Sequence, residues 1–310
     1  MKTKNFTFVS CSDSLPISVL ASMPDDGRPA ALLQLAHGMC GCKERFLPFM
    51  EYMADNGIGC VANDHRGHGE SIRSSGDLGY MYENGGGSLV EDMAQLTFLI
   101  YDAFPGTPVF LLGHSMGSMA ARVYTQRHDD LIEGLILCGS PSWTPFAHLG
   151  YIFTCAIDIF GGGRLRPAFL SDLVSRQYNR HFSKEGPRAW TCSDPEIRKE
   201  FENNPKCNYT FTVNGMLNLM ELMLMTYRSN DWQMYHPDMP VLFLSGEDDP
   251  CSRSEKMFHE SAKDMCRHGY GNVSSALYRG MRHEILNEKE KENVWNDILL
   301  FVKSNLSART

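Results

Sequence analysis

Six apolar runs of strand length punctuate the chain: "AALLQLA" (30–36), "GIGCVAN" (57–63), "PVFLLG" (108–113), "GLILCGS" (134–140), "PVLFLSG" (240–246) and "VSSALYRG" (273–280). Several are apolar throughout instead of alternating, which is the pattern of strands buried on both faces of a parallel sheet. Helix-like segments at 43–56, 88–104, 116–129, 252–268 and 288–304 separate most of them. Parallel strands need crossover connections, so the alternation predicts an α/β fold: a mostly parallel central sheet flanked by helices. Residues 1–22 alternate apolar and polar, as a strand pair would.

The rhythm breaks between 142 and 236. This stretch is rich in aromatics, Met and Arg, and it contains "GMLNLMELMLMTYRSN" (215–230), an amphipathic helix pattern. It reads as an inserted helical cap, or lid, over the C-terminal edge of the sheet, where ligands bind in open α/β folds. The expected division is therefore a core at 1–141, a cap at 142–236 and the rest of the core at 237–310. The methionines at 216, 220, 223 and 225 have helical spacing. They suit either ordinary core packing or an adaptable wall for a flexible apolar ligand.

Within "VFLLGHSMGSMAARVY" (109–124), Ser115 stands between Gly113 and Gly117 at the join of a buried strand and a helix. G-x-S-x-G recurs by chance, but strand before and helix after are the context of a nucleophile elbow, a strained turn that exposes the serine hydroxyl. A serine hydroxyl needs a general base, and the base needs a third group to fix its tautomer. In such sheets the order is Ser, acid, His. "PVLFLSGEDDP" offers Glu247, Asp248 and Asp249, and of the eleven histidines His283 alone sits just past the last strand. The expected oxyanion donors are the backbone N–H groups of Met116, after the serine, and of Met39, after the His37-Gly38 pair.

Other patterns carry less. Cys40 and Cys42 form C-x-C without further ligands at matching spacing, so no metal is expected there, while His65 and His68 form H-x-x-H beside Asp64, a pattern that can bind zinc. The net charge of −8 and the lack of a Lys/Arg-rich patch argue against nucleic acid. Residues 1–22 lack the apolar core of a signal peptide, and cysteines such as Cys60 and Cys138 fall inside strand patterns. A cytoplasmic protein with reduced thiols is the expectation. The apolar segment 149–163 is either a buried lid helix or a segment that rests transiently on a membrane surface.

Taken together, "HGM" (37–39), "NDHRGHGES" (63–71), "LLGHSMGSMAARVY", "SGEDDP" (245–250) and "YRGMRHEILNE" (278–288) resemble α/β-hydrolases of the monoacylglycerol lipase and lysophospholipase branch, particularly bacterial lysophospholipase-like members. The resemblance runs nearly end to end. It implies an acid three residues after the glycine of G-x-x-D-P, which selects Asp249, and it implies that "DHRGHGES" is a turn buttressing the active-site loops. Relatives carry Gly-x-Gly-Glu-His or Gly-Met-Ala-Glu-His at the oxyanion loop, whereas this chain has Gly38-Met39-Cys40-Gly41-Cys42. The function so implied is a cofactor-free serine hydrolase acting on a small ester with one hydrophobic acyl chain, such as a monoacylglycerol or lysophospholipid. Trp143, Phe146, Tyr151 and Trp190 are candidate substrate contacts. Alternatives are an aminopeptidase of the proline iminopeptidase type, a thioesterase, an aryl (cinnamoyl) esterase, or a non-catalytic binding protein on the same fold. An aminopeptidase would draw on cap acids such as Asp158, Asp172, Glu185, Asp194, Glu196 or Glu221.

Overall fold

The computed structural model describes residues 2–167, 176–228 and 232–307. Its strands are β1 Lys2–Val9, β2 Pro16–Met23, β3 Ala31–Ala36, β4 Ile58–Asn63, β5 Val109–His114, β6 Gly134–Cys138, β7 Val241–Gly246 and β8 Val273–Tyr278. They form one sheet in the order β1-β2-β4-β3-β5-β6-β7-β8. β1 and β2 pair antiparallel, β2 runs antiparallel to β4, and the remaining neighbours are parallel. This is the α/β-hydrolase architecture.

The apolar runs become the central strands because both faces of each are covered. Every residue of β3, β4, β6 and β7 is buried. Alternate residues serve opposite faces. Leu32, Leu111 and Leu135 pack towards helices α2 Gly85–Ala103 and α3 Met116–His128. Leu33, Leu112 and Ile136 pack towards α1 Leu47–Asp55 and α8 Lys291–Ser307, where Trp295, Ile298 and Val302 complete the layer. The one polar residue inside the β3 run, Gln34, is hydrogen-bonded at both ends of its amide: Nε2 donates to Met93 O at 2.9 Å and Oε1 accepts from Thr97 Oγ1 at 2.7 Å. Burying it costs little on that account.

Between β6 and β7 the described residues add no strand to the sheet. They form α4 Phe146–Ile157, α5 Pro195–Asn203 and α6 Val213–Thr226. α6 packs on α2 and α3, and α4 packs on α6. α4 buries only Ala147 and Thr154. Phe146, Leu149, Ile152 and Phe153 are exposed, as are Ile159 and Phe160 in the turn that follows, Phe160 by 91%. The reading of 149–163 as a buried helix is thus corrected: the helix buries only one edge against α6. The last crossover helix, α7 Glu255–Arg267, starts later than the sequence pattern suggests, because Ser254 caps it by accepting from Met257 N at 3.2 Å. No described helix is long and apolar enough to cross a membrane.

Candidate active site

Strand order reverses around β3 and β5, and the loops leaving the carboxyl ends of these strands open a crevice there. Ser115 follows β5 directly. Its backbone is left-handed, φ +55° and ψ −117°, a strained setting for a residue with a side chain. The flanking glycines make that turn possible. A Cβ at Gly113 would lie 2.3 Å from Gly117 O, and one at Gly117 would lie 2.1 Å from Ala36 O. Helix α3 therefore starts in backbone contact with β3 and β5, which lifts Ser115 above the sheet edge.

The loop after β7 brings Asp249, and the loop after β8 brings His283. His283 Nε2 lies 2.7 Å from Ser115 Oγ, and its Nδ1 lies 3.0 Å from both Asp249 carboxylate oxygens. Asp249 also accepts from Cys251 N and from Ser245 Oγ, each at 2.9 Å. Burial by itself would raise the Asp249 carboxyl. The facing His283 and these hydrogen bonds outweigh burial and hold it below the usual carboxylate range. For His283 burial works downward, yet the Asp249 charge outweighs it and holds the imidazole well above its ordinary value. Among the described residues Asp249 is the carboxylate that pairs with His283, not Glu247 or Asp248.

The β3 loop passes over the serine: a Cβ at Gly38 would lie 3.0 Å from Ser115 Cβ. Met39 follows it and lines the cavity beside Ser115. Met116, as the first residue of α3, has an N–H with no intrahelical acceptor. Beneath the loop, His37 Nδ1 donates to Gly38 O at 2.8 Å, while its Nε2 accepts from His65 N at 3.0 Å. The rings of His37, His65 and His68 cluster, with His37 4.3 Å from His65 and 5.0 Å from His68. Burial pushes His37 down to about 4 and His68 to about 3, so these rings are neutral. Asp64 accepts from Lys43 Nζ at 2.8 Å and from Glu70 N at 2.8 Å. "DHRGHGES" thus holds the loop from below. His114, inside the serine motif, has a comparable duty: its Nε2 donates to His283 O at 3.2 Å.

A cavity of about 300 Å³ opens above Ser115, walled by Met39, Cys40, Trp190, Tyr209, Phe211 and Met216, with Arg188 and Glu284 also reaching it. Of the four sequence candidates for substrate contact, only Trp190 lies here, its ring 5.1 Å from that of His283. Three are corrected. Trp143 packs between His148 and Tyr227, and Phe146 points to solvent on α4. Tyr151 sits on α4 beside Cys155, outside the cavity. Of the methionine run only Met216 reaches the cavity; Met223 is core, and Met220 packs against Gly150. The cap acids Asp158, Glu185, Asp194, Glu196 and Glu221 are absent from the wall, and Asp172 lies outside the described residues. Cys40, the first cysteine of the C-x-C pair, is part of the wall. Cys42 lies beneath it, its Sγ 3.7 Å from the Sγ of Cys207, which comes from the inserted segment. Arg188, Tyr209 and Phe211 are not legible as wall residues, since all three come from irregular stretches without a period.

The sequence profile of the family described as "Serine aminopeptidase, S33" matches residues 27–290. A monoacylglycerol lipase of Mycolicibacterium smegmatis is 23% identical over 289 residues, 91% of each chain. Among solved structures, a thermostable carboxyl esterase from Bacillus coagulans, in complex with glycerol, superposes with a TM-score of 0.90 at 25% identity over 99% of both chains. A soluble variant of monoglyceride lipase from Saccharomyces cerevisiae, bound to a substrate analog, superposes with a TM-score of 0.71 at 18% identity, over 98% of this chain and 94% of that one. The last likeness speaks to fold alone.

Proposed function

The chain belongs to the serine aminopeptidase S33 family and is an ester-hydrolysing, monoacylglycerol-lipase-like α/β-hydrolase, and from that premise we propose that it cleaves small esters bearing one hydrophobic acyl chain through Ser115, His283 and Asp249. The observation that carries this reading is the 2.7 Å contact of Ser115 Oγ with His283 Nε2, at the floor of a mostly apolar cavity. In this mechanism Ser115 Oγ attacks the ester carbonyl carbon as its proton passes to His283 Nε2. Asp249 fixes the tautomer and stabilises the imidazolium. The tetrahedral oxyanion is held by the N–H groups of Met39 and Met116, and losing one such donor typically costs about 2.7–4 kcal/mol. Collapse returns the proton from His283 to the leaving alcohol, and water, activated by the same imidazole, then cleaves the acyl-enzyme. Each step uses the chain's own groups, without a cofactor.

Residues 142–236 act as the cap in this reading, supported by their supplying Arg188, Trp190, Tyr209, Phe211 and Met216 to the wall. An aminopeptidase would need a carboxylate for the substrate's free amine. Glu284 is the one acid on the wall among the described residues, and it is already paired with Arg45. We place the reaction in the cytoplasm, in keeping with ten free cysteines. The exposed apolar face of α4 and the turn beyond it suits transient contact with a lipid surface.

The test is kcat/KM across 1-monoacylglycerols of increasing chain length, with a prolyl arylamide and a feruloyl ester as controls. Each buried methylene adds about 0.8 kcal/mol, close to fourfold, until the cavity is full. A rising profile with a cutoff is expected; a flat profile with turnover of a control overturns the lipid reading. Labelling by a fluorophosphonate should vanish in Ser115→Ala.

A further inference from the structure

Arg188 is the one charge that the cap's described residues contribute to the cavity wall. Two other arginines near it are neutralised: Arg45 pairs with Glu284, and Arg282 pairs with Glu185 at 2.8 Å. Arg188 has no carboxylate partner among the described residues. Its guanidinium lies 4.9 Å from the Phe201 ring centre and donates to Asn208 Oδ1 at 3.3 Å, contacts that orient the group without cancelling its charge. The backbone beneath it is left-handed, φ +57°.

Its place in the cavity says which end of a substrate it meets. Thr191 Oγ1 donates to Arg188 O at 2.8 Å, and Thr191 O accepts from Glu284 N at 2.7 Å. Trp190, between them, packs on the His283 ring. The stretch bearing Arg188 is therefore fastened to the His283 loop, while the apolar Phe211 and Met216 come from the start of α6 and the chain just before it. In serine ester hydrolysis the leaving oxygen is protonated by the histidine, so the leaving alcohol departs on the histidine's side. Resting on the function proposed above, we propose that Arg188 selects esters whose leaving alcohol carries an anionic group, a phosphate or a carboxylate, which its planar fork can bind with two hydrogen bonds.

The experiment uses the full chain and two matched pairs of esters. One pair is octanoylglycerol and octanoylglycerol phosphate; the other is the octanoyl esters of para-hydroxybenzamide and para-hydroxybenzoate. The ratio of kcat/KM, anionic over neutral, is compared in the native chain, Arg188→Gln and Arg188→Lys. The ratio is expected to fall about ten- to a hundredfold in Arg188→Gln, chiefly through KM, with partial recovery in Arg188→Lys. A fall in one pair alone identifies the anion as phosphate or as carboxylate. A ratio unchanged within threefold in both pairs overturns the inference, and an unchanged circular-dichroism spectrum and Tm report that the variant is folded. If the glycerol esters are inert while the aryl esters are cleaved, the monoacyl-lipid reading falls and the aryl ratio still decides the role of Arg188. If no ester of either pair is cleaved, both fall.

Discussion

Ser115 is held in place by what its neighbours lack. At Gly117 one added methyl would meet the backbone oxygen of Ala36 at 2.1 Å, and β3 has no room to retreat because each of its residues is buried. Gly117→Ala should cost about 3 kcal/mol or more in a urea titration and abolish fluorophosphonate labelling. Gly271→Ala, where the methyl would meet nothing within 4 Å, should stay within about 0.5 kcal/mol and label normally. His283 supplies a second expectation. In its proposed role it serves as a base only when neutral, and the Asp249 charge raises its pKa, so activity is expected to fall with decreasing pH through a value above the ordinary 6.5. Asp249→Asn should move that acidic limb of kcat/KM downward and lower the plateau by about 10⁴-fold. A limb that stays where it is would mean that Asp249 does not set the protonation of His283. These residues were legible in the sequence because each sits at the end of a strand that is itself legible. Their positions follow from strand order alone. The choice among Glu247, Asp248 and Asp249 did not, and needed the likeness to a family.

Elements of the cap were legible as helices but not as walls. A helix pattern shows which residues share a face, yet it does not show which neighbour that face meets. The aromatic character of Trp143, Phe146 and Tyr151 suggests substrate contact, whereas the wall is built largely by irregular chain at 187–191 and 209–211, where no period exists to be read. α4 illustrates the same gap. Its apolar side chains read equally well as core, yet among the described residues it buries only Ala147 and Thr154, and Phe146, Leu149 and Ile152 are largely exposed. If that face meets lipid, Phe160→Glu should weaken partitioning into zwitterionic vesicles about tenfold or more, the worth of one well-buried aromatic ring. Turnover of a short water-soluble ester should change little, since Phe160 is remote from the cavity wall. Equal binding of both proteins to vesicles would remove α4 from any role at a lipid surface.

On the scale of the whole molecule, the buried histidines tie stability to pH. His37 and His114 are held at about 4 by burial, His68 at about 3, and His65 well below its ordinary value. Above pH 6.5 both folded and unfolded chains carry them neutral, and they contribute nothing. As pH falls below 6.5 the unfolded chain binds protons that the folded chain refuses, until about pH 4. The rings of His37, His114 and His68 can each withdraw up to about 3 kcal/mol over that window, and His65 acts in the same direction. His283 works the other way: its raised pKa adds stability below 6.5 that is lost only at higher pH. Four rings oppose one, so the urea midpoint should be clearly lower at pH 5 than at pH 7, and equal midpoints would contradict the burial of the cluster. The sheet itself was the most legible level, because strands buried on both faces must be apolar throughout. The contact between Cys42 and Cys207 was not, since the two lie 165 positions apart and neither stretch has a period. That contact joins the loop after β3 to the inserted segment, and both thiols are sealed from solvent. They can serve as a clock: an alkylating reagent reaches them only when cap and loop part, so the rate at which they are captured counts those openings, and a slower count with a bound acyl inhibitor would time the closing of the enzyme over its substrate.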